Sequence, residues 1–152
     1  MSEHLLYSNG QLGENDGRLV TDEAADDRNA PLPDAKLILS FPRWQALGQP
    51  RHGVWLDNHE PVDQLRDALS AIALIALRFP VFTDGRAYSQ ARLLRQRLGY
   101  QGELRAIGDV QRDQIAYMAR CGFDSFLLRA DQEAEECQAA LREMKMPARY
   151  QT

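Results

Sequence analysis

The sequence predicts a single α/β domain with a mostly parallel sheet of four to five strands and alternating helices, either an open sheet or a partial barrel. A length of 152 residues fits one domain. From Gly53 onward, short apolar runs alternate with stretches of helical periodicity. That order is typical of parallel strands joined by right-handed crossovers. Four or five such units are too few for a full eight-fold barrel.

Five short apolar runs bounded by turn residues are predicted to be strands. They lie at 37–41, 53–56, 73–77, 103–107 and 125–128. Pro42 stops the first of them, and Pro80 follows the third. The third run could instead extend the helix before it, because a short apolar run alone does not separate strand from helix.

Four stretches with apolar residues at helical spacing are predicted to be helices. Asn58 can cap the first and Pro61 suits its first turn, before an apolar face formed by Val62, Leu65, Leu69 and Ile72. The second opens at 88–89, and Gly99 fits the left-handed position at its end.

The third helix spans 112–121, with Gly122 at its end. Asp131 can cap the fourth, and Pro147 marks its end; its apolar stripe is Ala134, Cys137, Leu141 and Met144. Asp109 is likewise placed to cap a helix.

The chain divides into three parts by composition. Residues 1–35 carry eight acidic and two basic residues, with sparse apolar residues of no clear period. This acidic N-terminal arm is expected to be flexible or loosely docked, with short strand pairing allowed near 19–20. The α/β domain is expected at 36–147, and 148–152 form a C-terminal tail.

Charge and cysteine content exclude several classes of function. The net charge of −4 gives no general attraction to nucleic acid or to an anionic membrane. Cys121 and Cys137 form no CxxC pair, so neither a zinc site nor a redox dithiol is indicated. The longest mostly apolar run, 71–77, is too short to span a bilayer, and no signal peptide is recognisable. We therefore expect a cytoplasmic protein with reduced thiols.

Charged residues gather where the predicted strands end. If the strands are parallel, one edge of the sheet collects Asp57, Asp84, Arg86, Asp109, Arg129 and Asp131. These groups could bind an anion, with Arg86 as the donor and Asp84 and Asp109 orienting it. They could equally be helix caps and ion pairs. The predicted binding residues, for an anion or a partner, are Asp84, Gly85, Arg86, Tyr88, Ser89, Asp109, Arg112 and Arg129.

No catalytic residue, cofactor site or metal site is predicted. Neither GxxxxGK[ST] nor GxGxxG occurs, so no nucleotide-binding loop is indicated. The histidines, His4, His52 and His59, match no standard ligand spacing, and Cys121 is expected to be structural. The arginines at 92, 95 and 97 form either a solvated helix face or a surface for an acidic partner. Trp44 and Trp55 either pack against the first strands or belong to an interface.

The segment FTDGRAYSQARLLRQRLGYQGELRAIGDVQRDQIAYMARCGFDSF, at 82–126, resembles the signature of the bacterial family known as domain of unknown function 934. The upstream GVWLDN and ALIALRFPVF resemble it too, and the likeness covers roughly 36–145. The family motif often reads Gly-Arg-Gly-Tyr-Ser, whereas this chain has Ala87 at the second glycine. That substitution weakens any argument that both glycines are needed for close approach of a ligand.

The resemblance implies a genomic setting but no particular reaction. Members are typically encoded beside assimilatory sulfite or nitrite reductase genes, and some carry the label oxidoreductase without an established reaction. We therefore expect an accessory protein of reductive sulfur (sulfite) assimilation, which binds a reductase partner or a small oxyanion. The alternatives are an oxidoreductase of unknown substrate and a structural interaction module that uses a surface with Trp44 and Trp55. The sequence leaves the oligomeric state open.

Overall fold

The structure, a computed structural model, describes residues 5–8, 11–14, 17–20, 36–48 and 53–142. Sequence predictions about His4, His52, the end of the fourth helix beyond Arg142 and the tail 148–152 lie outside the described residues.

The predicted fold class is confirmed: the described residues form an α/β fold with a mostly parallel sheet and helices between the strands. The strands are β1 Leu5–Ser8, β2 Gln11–Glu14, β3 Gly17–Val20, β4 Lys36–Ser40, β5 Gly53–Leu56, β6 Leu74–Phe79, β7 Glu103–Gly108 and β8 Ser125–Leu127. The α-helices are α1 Phe41–Ala46, α2 Gly85–Arg92, α3 Ile115–Arg120 and α4 Ala134–Arg142. A 3₁₀ helix Val62–Ala71 joins β5 to β6, a π-helical turn Leu93–Arg97 continues α2, and a 3₁₀ turn Arg112–Gln114 precedes α3.

The sheet contains more strands than the four to five expected. The five predicted strands correspond to β4–β8, and the first 20 residues add β1, β2 and β3. These N-terminal strands are held by backbone pairing, with β1 antiparallel to both β2 and β8, and β3 parallel to β4. The strand pairing that the sequence allowed near 19–20 is confirmed in β3. The composition of the stretch did not reveal β1 and β2, because ladder hydrogen bonds need no long apolar run.

The strand order shows that the sheet curls round on itself. The order is β2-β1-β8-β7-β6-β5-β4-β3, so β2 and β3 lie at opposite ends of it. Only residues 15 and 16 separate these two strands along the chain. Three Cα–Cα steps can span at most about 11 Å. A flat eight-stranded sheet would hold its edges about 34 Å apart, so the sheet must be curved like a barrel.

Segments β2 and β3 act as two halves of one strand. They run in the same direction, since β2 is antiparallel to β1, β1 is antiparallel to β8, and β3 to β8 are mutually parallel. The first half pairs with β1 and the second half with β4. Counted this way, seven strands surround a barrel-like interior, with β2 and β3 at the two ends of the strand order.

The barrel separates two apolar clusters. Side chains that point outward, such as Leu77 and Phe79 of β6, pack under the helices in the larger cluster. The inward positions of the strands form the smaller one, which consists of Leu6, Ile38, Leu74, Ala76, Ile107 and Leu127, with Trp55 packed against it. All six are buried. Burying a large aliphatic side chain contributes about 1.5–3 kcal/mol relative to exposure, so both faces of the sheet stabilise the fold.

One charged side chain is buried inside the barrel. Arg105, which is only 1% exposed, lies at an inward position of β7. Its Nε donates to Ser125 Oγ at 3.0 Å, and one terminal nitrogen lies 2.9 Å from Glu103 Oε2. Ser125 also donates to that Glu103 oxygen at 2.6 Å. The network supplies the partners that a buried guanidinium requires.

Several helix starts differ from the sequence prediction. The second helix begins at Gly85 rather than Tyr88, because Asp84 caps it. The fourth begins at Ala134, and Asp131 bonds Arg129 instead of capping it. Asn58 donates to Asp84 and does not cap the 3₁₀ helix that follows it. The predicted left-handed glycines at 99 and 122 are confirmed.

Replacing Leu6 with aspartate tests the barrel closure. Leu6 is buried at an inward position of β1, opposite Leu127. A carboxylate there should lower the free energy of unfolding by about 3 kcal/mol or more, because it would be desolvated without a partner. Gln11→Asp, at an exposed position of β2, should change stability little. Equal urea midpoints for Leu6→Asp and wild type would contradict the closure.

Candidate functional site

The carboxyl ends of β5 to β8 carry two polar networks at one rim of the barrel. In the first, Asp57 directly follows β5, and its Oδ1 lies 3.1 Å from a terminal nitrogen of Arg78. Arg78 is adjacent to Ile107 in register and therefore points inward from β6. The backbone N–H of Asp57 donates to Glu60 Oε1 at 2.8 Å, which closes a tight turn after β5.

Asp84 joins this turn to the start of α2. Its Oδ1 accepts from the backbone N–H groups of Arg86 at 2.8 Å and Ala87 at 3.2 Å, and its Oδ2 accepts from Asn58 Nδ2 at 2.7 Å. Partial desolvation acts to raise the pKa of the Asp84 carboxyl, but these hydrogen bonds outweigh it and lower the pKa below its ordinary value. Asp84 therefore acts as a helix cap, which is one of the two roles the sequence left open.

Asp109 forms the centre of the second network, beyond β7. It accepts from the backbone N–H of Phe82 at 2.9 Å, from Gln111 at 3.1 Å and from Arg129 at 2.7 Å. Desolvation acts to raise the pKa of Asp109, and the hydrogen bonds from Gln111, Phe82 and Arg129 lower it by more. Arg129 also binds Asp131 through two contacts of 2.6 Å, which raise the pKa of Arg129. Asp109 thus ties three loops together and caps no helix.

The backbone at Gly108 explains how Asp109 reaches the loop after β6. Gly108 has φ +91°, which only glycine adopts readily. A Cβ at this position would clash with the carbonyl oxygen of Phe79. The turn lets the N–H of Asp109 donate to that same oxygen at 2.8 Å. Gly108 therefore fixes the position of the Asp109 carboxylate.

The structure brings the predicted site residues to one rim but gives them different partners. The hydrogen bonds of Asp84 and Asp109 go to the donors above, and not to the Arg86 guanidinium. Within the described ranges, the Arg86 side chain is exposed and has no recorded hydrogen bond or ion pair. Arg112 contacts Glu136 of α4 at 2.8 Å. The orientation of Arg86 by two carboxylates, which the sequence suggested, is therefore absent from the described contacts.

Two open grooves flank α2. One, of about 670 Å³, lies between α2 and the turn after β5 and is lined by Asn58, His59, Glu60, Pro61, Val62, Asp84, Gly85, Arg86, Ser89, Gln90 and Leu93. The other, of about 440 Å³, faces α3 and is lined by Phe82, Thr83, Gly85, Tyr88, Ser89, Arg92, Gln114 and Tyr117. Gly85 and Ser89 line both grooves, so these predicted site residues are accessible on α2.

Tyr88 is a packing residue in the second groove. Its ring is buried and makes edge contacts with Phe79 and Tyr117, each with centroids 4.9 Å apart. Burial, with smaller effects from Cys121 and Tyr117, raises the pKa of Tyr88 to about 12. Its hydroxyl therefore stays protonated at neutral pH and is not poised as a base. Arg92 reaches the Tyr117 hydroxyl at 3.3 Å from the exposed side of this pair.

The arginines of α2 and its continuation have two distinct roles. Arg95 points toward the neighbouring loops and away from solvent. It donates to the carbonyl oxygens of Tyr100, Gly102 and Gly122 and pairs with Asp124. The side chains of the other three, Arg86, Arg92 and Arg97, are exposed. Of the predicted cluster at 92, 95 and 97, Arg95 is thus structural. Arg92 and Arg97, together with Arg86, are exposed; we call these three residues the arginine face.

The two tryptophans do not share a surface. Trp44 is 1% exposed and packs with Phe41 in the outer apolar cluster, whereas Trp55 packs against the inner one. They therefore lie on opposite sides of the sheet.

The described residues contain neither a cluster of metal-ligating side chains nor a membrane-spanning helix. No group of three or more His, Cys, Asp or Glu in that part of the chain could hold a metal ion. Likewise, none of the helices described is long and apolar enough to cross a bilayer. Both cysteines are free thiols; Cys137 is buried and Cys121 partly so.

Sequence reasoning missed Arg78 and Gln90. Arg78 interrupts the apolar run ALIALRF at an inward position, which is a detectable signal once the strand and its alternation are known. Gln90 donates through Nε2 to the carbonyl oxygens of Asp57 and Glu60, both at 2.9 Å. Nothing in the local sequence distinguishes this buried glutamine from an exposed one.

Two glycine substitutions test the geometry of the rim. Gly108→Ala should lower the free energy of unfolding by about 1–3 kcal/mol, because alanine would be forced into a strained backbone region against the Phe79 carbonyl. Gly85→Ala is the matched control, since its Cβ would meet nothing within 4 Å. It should be neutral or stabilising by up to about 1 kcal/mol. Equal urea stability for the two variants would contradict this account.

The lowered pKa of Asp109 predicts how stability depends on pH. A carboxyl whose pKa is depressed on folding stabilises the protein above its unfolded pKa, and that contribution is lost as the pH falls through the folded value. Asp109→Asn should therefore destabilise the protein at neutral pH, and its difference from wild type should shrink below about pH 4. Urea unfolding at several pH values measures this difference. Asp67→Asn, on the exposed side of the 3₁₀ helix, should match wild type throughout; a constant Asp109→Asn difference down to acidic pH would refute the prediction.

Comparison with known proteins identifies a family. A family model described as bacterial protein of unknown function (DUF934) matches residues 53–152, from β5 onward. No curated protein and no solved structure matches the chain. The matched region covers well over half of the sequence and contains α2, the rim networks and both grooves. The chain therefore belongs to the DUF934 family of bacterial proteins.

Proposed function

We propose that this protein is a cytoplasmic accessory protein of reductive sulfur assimilation, which binds a reductase partner through the arginine face of α2. The setting comes from the resemblance described above, since family members are typically encoded beside sulfite or nitrite reductase genes. The observation that carries the binding mode is the exposed arginine face.

The arginine face is a local basic surface on an acidic protein. Residues 85–102 contain four arginines and no aspartate or glutamate, although the whole chain has a net charge of −4. Three of these guanidinium groups are exposed, and two exposed apolar side chains flank them: Leu93 is 38% exposed and Tyr117 43% exposed. Arginine with nearby apolar anchors is the usual composition of a protein-binding surface. An acidic patch on the partner would complement it.

The rest of the structure supports α2 as a rigid docking element. Asp84 caps its first turn, and Arg95 ties the segment after it to three carbonyl oxygens and Asp124. A surface that is already ordered loses little entropy on binding. The alternative of a bare oxyanion at the start of α2 is less favoured, because the Asp84 carboxylate already occupies the N–H groups of Arg86 and Ala87.

Charge reversal on the arginine face tests the proposal. The purified protein should bind the assimilatory sulfite reductase of the same organism, and Arg92→Glu with Arg97→Glu should weaken the affinity roughly tenfold or more. Binding should also weaken as the salt concentration rises, because exposed charges are screened. Surface plasmon resonance at low and moderate salt measures both effects.

The matched control is Arg66→Glu, which reverses an exposed arginine on the 3₁₀ helix. It should leave the affinity close to that of wild type. The proposed docking mode would be contradicted if no binding were seen at low salt. It would also be contradicted if the control and the arginine-face variant lowered the affinity equally.

A further inference from the structure

The helices outside the barrel carry opposite charges at two separate places. The first is the arginine face of α2 and its continuation, where residues 85–102 contain no aspartate or glutamate. The second is the segment 131–136, which leads into the first turn of α4 and contains four carboxylates and no lysine or arginine. All four of these acidic side chains are exposed: Asp131, Glu133, Glu135 and Glu136. A basic and an acidic surface are therefore present on the same chain.

The helix α3 lies between these two surfaces. On one side of it, the ring of Tyr117 contacts the ring of Tyr88 in α2, with centroids 4.9 Å apart. On the other side, Arg112, in the 3₁₀ turn before α3, donates to Glu136 Oε2 of α4 at 2.8 Å. All three helices contribute buried residues to the outer apolar cluster, so they cover the same side of the sheet. The charge of this helix layer thus changes from basic at α2, across α3, to acidic at the start of α4.

Charges of both signs remain for contacts with another molecule. Two of the four acidic side chains already pair with arginines of the same chain. Among the described residues, no ion pair is recorded for the other two, Glu133 and Glu135. On the basic side, Arg92 contacts the Tyr117 hydroxyl at 3.3 Å, and neither Arg92 nor Arg97 has a recorded carboxylate partner in the same ranges.

From this arrangement we propose that the helix layer binds a second copy of the same chain. A two-fold axis that runs along α3 places α2 of each copy against the start of α4 of the other, so each basic surface meets an acidic one. Such an interface is isologous and closes as a dimer. Tyr117, which is 43% exposed, then lies near the axis, and Leu93, 38% exposed, lies beside the arginines. Aromatic side chains and arginines are enriched in protein interfaces.

The charges also decide between orientations of the two copies. A two-fold axis perpendicular to the helices would place the arginine face of one copy against that of the other, and like charges in contact are unfavourable. The net charge of −4 on each copy opposes association in general. At physiological ionic strength, however, charges more than about 8 Å apart are largely screened. Because exposed ion pairs contribute little each, we expect a reversible dimer and not a permanent one.

This inference does not rest on the proposed function, although it uses the same arginine face. Self-association and reductase binding would therefore exclude each other. The test below contains no reductase, so the two proposals can fail separately. A wild type that stays monomeric but binds the reductase would overturn only the dimer, and a dimer that does not bind the reductase would overturn only the docking proposal.

Sedimentation velocity at increasing protein concentration tests the dimer. Wild type should pass reversibly from monomer to dimer in the micromolar range, and the dimer fraction should fall as the salt concentration rises. Arg92→Glu with Arg97→Glu should weaken self-association about tenfold or more, because carboxylates would then face carboxylates. Glu133→Lys with Glu135→Lys should do the same with the opposite sign. A wild type that is monomeric at every concentration would overturn the proposal, as would a dimer that neither variant weakens.

A mixture of the two variants tests which surfaces meet. In a mixed pair, the reversed α2 of one variant faces the reversed start of α4 of the other, and the two unchanged surfaces also face each other. Opposite charges are then in contact throughout, so the mixture should form heterodimers with an affinity close to that of the wild-type dimer. A fluorescent label on one variant detects them. If the mixture associates no better than either variant alone, the proposed pairing is wrong.

The matched control is Asp63→Lys with Asp67→Lys, on the 3₁₀ helix. It changes the net charge by the same amount as the reversal on α4, and it also alters exposed side chains, so it should fold. Its self-association should equal that of wild type, and it should not associate with the Arg92→Glu, Arg97→Glu variant more tightly than wild type does. A loss equal to that of the α4 variant would show a general effect of charge and would refute the interface.

Discussion

The two-residue connection between β2 and β3 is the constraint on which the rest of the structure depends. Because it joins strands at opposite ends of the sheet order, it forces the sheet to curve until its edges meet. Curvature then gives the inward residues of every strand a common interior, which explains why Leu74 and Ile107 are buried on the face that carries no described helix.

Closure places the carboxyl ends of the parallel strands around one rim, and the rim is held mainly by carboxylates. Asp57 pairs with Arg78 of β6, whereas Asp84 accepts from backbone N–H groups of α2 and Asp109 from that of Phe82. Their hydrogen bonds therefore stabilise the rim, and none of them comes from the Arg86 guanidinium. The exposed side chains of Arg86 and Arg92 and the two grooves lie along α2.

The sequence revealed those parts of the fold that depend on local patterns. The strands β4 to β8, the parallel order and the left-handed glycines at 99 and 122 follow from short-range apolar period and turn chemistry. Of the N-terminal strands, the sequence allowed pairing only near 19–20, in β3; β1 and β2 stayed hidden, because the pairing of β1 with β8 and the burial of Leu6 and Tyr7 depend on contacts that only folding creates. The roles of Arg95 and Gln90 were equally hidden. Both side chains are fixed by backbone carbonyl groups that only folding brings close. Because every residue has such a group, the sequence does not indicate which ones will be bound.

The family match begins at Gly53, so the strands that complete the barrel, β1 to β4, lie outside it. Two side chains of these strands, Leu6 and Ile38, are buried in the inner cluster. The family model therefore leaves out four of the eight strands of the sheet, whereas α2 and both grooves lie within the matched region.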